Sequence, residues 1–166
     1  MIRRATLEDL RAIMEIIQDT VLDMNKEGNY QWNSSYPLET DFIKDIDKGD
    51  LFLEEENGEV LGFICLNMSE AEDYKELKWD FEGESVVIHR MAVNPKSRNK
   101  GVGSKLMKYA EEFALSHDIS YIKTDTNEIN IKMNNLFKKC GYKLFGKVQL
   151  KGYDSLFPCY GKAINK

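Results

Sequence analysis

The sequence predicts a mixed α/β domain, and three observations carry that expectation. Amphipathic helical stretches alternate with short apolar, strand-like runs along the whole chain. Asn57-Gly58 joins two apolar runs, the pair that suits a tight hairpin because both residues tolerate positive φ. The run Val86 to Val93 leads through a basic loop and two glycines into another amphipathic stretch. Strand, loop and helix follow one another there as they do in α/β units.

Length points to one domain spanning 1–166, because a second would leave each half small. With 42% hydrophobic and 31% charged residues, the chain can build a core and does not read as disordered.

The elements follow in order. Residues 2–5 make a short first strand. Thr6 reads as an N-cap with Asp9 three residues on, and Leu10, Ile13, Met14, Ile17, Val21 and Met24 recur at helical spacing. Gly28 ends that helix. An aromatic loop with Tyr30, Trp32 and Tyr36 precedes a second helix over about 38–48. Leu51–Leu53 and Val60–Ile64 flank the hairpin turn. Residues 69–84 hold seven acidic residues against Lys75 and Lys78, with Tyr74, Trp79 and Phe81 among them. After the strand 86–93 and the glycine loop, Leu106, Met107, Ala110, Phe113 and Ala114 mark a third helix. Tyr121–Thr124 reads as a strand. A fourth helix from about Ile129 ends at Gly141, and 142–145 and 156–163 supply two closing strands.

Charge and cysteine usage narrow the function. Lys plus Arg total 23 against 28 Asp plus Glu, a formal charge of −5, which opposes nonspecific nucleic-acid binding. Cys65, Cys140 and Cys159 are odd in number and far apart, and His89 and His117 stand alone. Neither a disulfide framework nor a metal site is expected. Met1-Ile2-Arg3-Arg4 leads into a charged segment, and no stretch approaches the ~20 apolar residues of a membrane span. A cytoplasmic protein without a membrane partner is expected.

The segment 86–117 carries the chemistry. A helix N-terminus offers unpaired N–H groups and partial positive charge. Gly101 and Gly103 let a ligand approach the main chain, and Arg98 and Lys100 add full charge. This is a cradle for a diphosphate. It is not a Walker A loop, since Gly103 is followed by Ser104 and only then Lys105. Nor is it a dinucleotide fingerprint, since Leu106 occupies the third glycine position. As alternatives, the glycines shape a tight turn, and Arg98 is a solvated charge.

Arg98-Asn99-Lys100-Gly101-Val102-Gly103 resembles the (Q/R)-x-x-G-x-(G/A) acetyl-CoA loop of the GNAT N-acetyltransferase family. Asn130, Met133, Leu136-Phe137 and Gly141-Tyr142 resemble that family's downstream helix motif, with Asn130 following Gly103 by 27 positions. The element order fits over the whole chain. The resemblance implies the GNAT acyl-CoA N-acyltransferase fold, with a mostly antiparallel sheet splayed between strands 4 and 5 and about four main helices. It implies acetyl-CoA as co-substrate, with no metal. Main chain at Met91, Ala92 and Val93 would meet the pantetheine arm as another strand would. The amides of Asn99, Lys100, Gly101, Val102, Gly103 and Ser104, beside Arg98, would hold the diphosphate. Asn130, Met133 and Phe137 would line the cofactor, although Asn130 equally suits a helix cap and Phe137 a core position.

Two positions depart from the family pattern. Where the family often carries a glutamate base, this chain has Val87; where it often carries a tyrosine acid, it has Phe137. His89 is the substitute base, with a reference pKa of about 6.5, and Glu84 is a second candidate. As alternatives, His89 is structural and Glu84 solvated. Tyr142, Tyr153 and Tyr160 are candidate acids, and spacing selects none of them. Tyr30, Trp32, Tyr36 and Trp79 are the candidate acceptor-binding aromatics, since aromatic faces beside carboxylates attract a cationic amine. The acceptor expected is a small amine or an amino acid. The competing reading is a non-catalytic acyl-CoA-binding or regulatory module on the same fold, and a homodimer is compatible with the family.

Overall fold

The computed structural model describes residues 1–165. Among the described residues seven strands and four α-helices follow in the order β1 (Ile2–Arg4), α1 (Leu10–Lys26), α2 (Glu39–Asp47), β2 (Leu51–Glu56), β3 (Glu59–Asn67), β4 (Val86–Val93), α3 (Val102–Ser116), β5 (Tyr121–Asp125), α4 (Ile131–Lys139), β6 (Lys143–Val148) and β7 (Phe157–Ala163). The strands form one mixed sheet in the order β1-β2-β3-β4-β5-β7-β6. β4 and β5 run parallel, registered over Val86↔Ile122, Val87↔Lys123 and Ile88↔Thr124. The sheet and its helices match the expected fold class. Contacts group the chain into two compact units, Met1–Leu66 with Arg90–Leu106, and Asn67–His89 with the residues from Met107 onward.

In the first unit, Thr6 N–H donates to Asp9 Oδ2 at 2.7 Å, closing a 3-10 turn over Leu7–Asp9. The α-helix therefore starts at Leu10, later than the Thr6 cap predicts. Ile13, Ile16 and Ile17 of α1 pack with Phe42 of α2 and with Leu53, Phe63 and Cys65 of β2 and β3. The Phe42 and Phe63 rings meet edge to face at 5.3 Å, a geometry that contributes about 0.5–1.5 kcal/mol beyond burial. Asn57 and Gly58 take φ of 52° and 78°, both left-handed as the tight turn requires. β3 runs on to Asn67, past the expected end at Ile64. Within it, a Cβ at Gly62 would lie 2.7 Å from the Ala92 carbonyl oxygen and within 3.3 Å of Val102 and Leu106 side-chain carbons.

In the second unit, Tyr74, Val87, Val148, Phe157 and Cys159 form a core, with Leu77 and Trp79 packed against it. The acidic segment before β4 thus contributes its apolar residues to this core, while Glu72, Glu76, Glu82 and Glu84 stay exposed. The segment follows β5 residue by residue. Tyr121 donates to Asp80 at 2.6 Å and stacks on Phe81. Lys123 donates to Glu70 at 2.8 Å, and Tyr74 donates to Asp125 at 2.5 Å. These three β5 residues alternate along one face of the strand.

Asn130 caps α4, its Oδ1 accepting from Met133 N–H at 3.2 Å, so that helix begins at Ile131. The closing strands β6 and β7 start a residue later than expected, and β6 runs on to Val148. The three cysteines are free thiols. Burial pushes Cys65 and Cys159 up to about 12, which leaves them unreactive. Among the described residues no helix is long and apolar enough to cross a membrane.

Candidate active site

In the first unit, β4 ends at Val93 and a 3-10 turn over Pro95–Ser97 follows. Asn94 sets that turn: its Oδ1 accepts from Lys96 N–H at 3.1 Å, its own N–H donates to Leu61 O, and its carbonyl accepts from Ser97 N–H. The chain then passes through two left-handed residues, Asn99 at φ 63° and Gly101 at φ 76°. Such alternation turns successive N–H groups toward one side. A Cβ built at Gly101 meets nothing within 4 Å, so the main chain there is open to a ligand. Lys105 N–H donates to Gly101 O, the first bond of the α3 ladder, and the N–H groups of 102–104 lie ahead of it. Val102 is buried, while Asn99, Lys100 and Gly101 are exposed. An open main chain with free helix-end donors and a lysine fits a diphosphate. Arg98 Nη1 donates to Asp23 Oδ2 of α1 at 2.6 Å, so its charge is directed to the protein itself.

The candidate acceptor aromatics are placed differently from one another. Tyr30 is 64% exposed, and Trp32 is 7% exposed inside the first core. The Tyr36 hydroxyl accepts from Arg90 Nη1 at 2.8 Å. Arg90 in turn holds Asp45 with two bonds, at 2.7 and 2.5 Å. Burial opposes the guanidinium charge, but Asp45 and Tyr36 more than compensate, so Arg90 stays firmly charged. The sequence reading missed Asp45 and Arg90, which lie 45 positions apart; only an arginine inside an apolar strand hinted at a buried partner. Trp79 belongs to the second unit. Its indole N–H donates to Tyr74 O at 2.8 Å, and its ring faces Lys123, a cation of the chain's own.

The candidate bases also belong to the second unit. His89 is exposed, with Nε2 at 2.6 Å from Asn67 Oδ1. That oxygen also accepts from Ser69 N–H. Glu84 is exposed just ahead of β4. Val87 and Phe137, at the family's two usual catalytic positions, are each 2% exposed. Among the candidate acids, Tyr160 donates to Asn134 Oδ1 at 2.6 Å. Tyr142 is buried, and its hydroxyl has no partner among the described residues. Burial pushes both phenols up. Asn134, which the sequence reading passed over, also donates to the Asn127 and Asn130 carbonyls and so anchors the turn that starts α4.

Comparison with known proteins identifies the family. A GNAT-family acetyltransferase from Streptococcus agalactiae has a solved structure that superposes with a TM-score of 0.88 at 26% identity, over 100% of this chain and 96% of that one. The uncharacterized N-acetyltransferase YesJ of Bacillus subtilis is 23% identical over 146 residues, 86% of this chain and 81% of that protein. Streptothricin acetyltransferase of Escherichia coli is 36% identical over 59 residues, 36% of this chain and 34% of that protein. The profile of the acetyltransferase (GNAT) family matches residues 12–142, from α1 through the glycine loop to the end of the α4 motif. A match of that extent makes the chain a member of the GNAT family of acetyltransferases.

Proposed function

We propose that this protein moves the acetyl group of acetyl-CoA to the primary amine of a small molecule or an amino acid, by direct attack in a ternary complex. The observation that carries the cofactor half is the loop 98–104, with an open main chain at Gly101 and the first N–H groups of α3 beyond it. Amides of 99–104 and Lys100 hold the diphosphate. Met91–Val93, beyond the stretch of β4 registered with β5, offers main chain to the pantetheine arm. Asn130, Met133 and Phe137 of the α4 segment complete the cofactor contacts. The name of the streptothricin acetyltransferase supports a small-molecule acceptor. One domain spans both compact units, as a family match crossing both supports. We place it in the cytoplasm.

The acceptor ammonium must lose a proton before its nitrogen can attack the thioester carbon. His89 takes that proton in this reading, with Glu84 as the alternative base. The C–S bond then breaks, and the thiolate leaves with a proton from a group not yet assigned. Positioning the amine against the thioester supplies much of the rate.

A second reading, an acyl-CoA-binding module without catalysis, is favoured by the buried Val87 and Phe137 at the usual catalytic positions. One assay separates the two: acetyl-CoA, a panel of primary amines and a thiol reagent. Thiol release that depends on an amine, and falls in His89→Ala, supports the enzyme. Release that no amine raises, together with a thermal shift by acetyl-CoA, supports the module. Ligand at one hundred times its Kd adds about 2.7 kcal/mol. For this length the melting temperature should rise by roughly 5–10 °C.

A further inference from the structure

Arg98 opens the candidate diphosphate loop, and its guanidinium already has a partner. Its Nη1 lies 2.6 Å from Asp23 Oδ2, joining α1 to the loop across 75 positions of sequence. Both side chains are about a third exposed, at 33% and 34%. An ion pair so exposed adds little to global stability. Its effect is local. Asn99 follows at φ 63°, a conformation L-residues adopt reluctantly and keep only when their surroundings hold it. Arg98 is tied on one side of this stretch, and Val102 is buried on the other. The three residues between are exposed and have no core contact to fix them.

We propose that Asp23 is a positioning residue for the diphosphate loop: by holding Arg98 it keeps the N–H groups of 99–104 turned to receive the diphosphate of coenzyme A. This rests on the acetyl-CoA reading above. Arg98 then serves the ligand through the loop's shape, and the negative charge is met by main-chain N–H groups and Lys100. The rival arrangement has Asp23 competing with the diphosphate for Arg98, and it predicts the opposite sign of effect.

The test uses the full chain as wild type, Asp23→Asn, Asp23→Glu, Arg98→Gln and the Asp23→Asn/Arg98→Gln double variant. Residue-resolved backbone 15N relaxation is measured without ligand, coenzyme A affinity by calorimetry, and KM and kcat with acetyl-CoA. In Asp23→Asn, the order parameters at residues 99–101 should fall while those of the strands stay unchanged. The coenzyme A Kd and the KM for acetyl-CoA should rise about tenfold with kcat within about twofold, because a displaced loop weakens binding and leaves the reacting atoms alone. Asp23→Glu should restore much of the loss, and the double variant should be no worse than the weaker single. Unchanged order parameters in Asp23→Asn and Arg98→Gln alike overturn the tether. Tighter coenzyme A binding in Asp23→Asn overturns positioning in favour of competition. A wild-type protein that binds no coenzyme A overturns the acetyl-CoA reading and the proposal's ligand with it, while the relaxation arm separately decides the tether.

Discussion

The Lys123 ammonium sits 4.6 Å from the centroid of the Trp79 ring and 2.8 Å from Glu70 Oε1. Lys123 is 5% exposed, on a strand whose neighbours are β4 and β7. A lysine so placed needs both partners, because an unpaired buried charge is costly. The segment 67–85 therefore does more than link β3 to β4. It supplies the groups that make a buried cation tolerable.

Lys123→Ala should destabilise the protein by about 2–3 kcal/mol, since it strips packing from Trp79 and leaves Glu70 to the Ser85 hydroxyl. Lys123→Met, which keeps the stem, should cost about half as much. Urea denaturation measures both. Equal losses would mean that the charge, not the packing, sets the cost.

Asp9 gives an acid-side prediction. The Arg3 guanidinium, at 2.8 and 2.9 Å, holds its carboxyl below the usual carboxylate range, against burial and with help from Thr6 N–H. A depressed folded value means stability that is present above the unfolded pKa of about 3.9 and lost as pH falls through the folded value. Asp9→Asn should cost about 1–2 kcal/mol at neutral pH. The gap to wild type should close below about pH 4. A gap that persists in acid would assign the cost to packing.

Asp125 should behave in the opposite sense. Burial pushes its carboxyl up, the Tyr74 hydroxyl bond works against that, and Asp73 adds to the rise. A raised folded value means a contribution that is complete below about pH 3.9 and lost as pH climbs through the folded value. Asp125→Asn keeps an oxygen to accept from Tyr74 and removes the buried charge. It should be at least as stable as wild type at pH 7, by up to about 1 kcal/mol, with no advantage near pH 4. Denaturation at the two pH values checks this. A loss at pH 7 would show that the carboxylate has a compensating cation.

Tyr142→Phe should stabilise the protein by about 1 kcal/mol, because it deletes a buried hydroxyl without a partner among the described residues. A calorimetric melting point higher by roughly 2–4 °C is expected. A lower one would reveal a buried water on that oxygen.

What was legible in the sequence was local. The Asn57-Gly58 turn, the run from Arg98 to Gly103, and the α4 segment from Asn130 to Tyr142 each declare themselves within a few residues, because the backbone geometry they need depends on their own side chains. What was hidden depends on partners far along the chain. Tyr74 and Asp125 are 51 positions apart, Arg90 and Tyr36 are 54, and Asp23 and Arg98 are 75. Composition marked residues 69–84 as acidic and aromatic. It could not show that Tyr121, Lys123 and Asp125 would each find a match there. Trp32 was a candidate for the acceptor as an aromatic of the loop between α1 and α2, yet its ring reaches the core of α1 and α2.

Gly62 has no assigned chemical role, yet a single methyl there would have to shove aside the carbonyl of Ala92. Trimming Val102 or Leu106 would not relieve the collision, since the obstructing atom is peptide oxygen. In a saturation library this site would score as intolerant as a catalytic one, for a reason that is wholly steric. Loss of activity at 62 would then report a strand nudged off its seat, with the reactive groups themselves untouched.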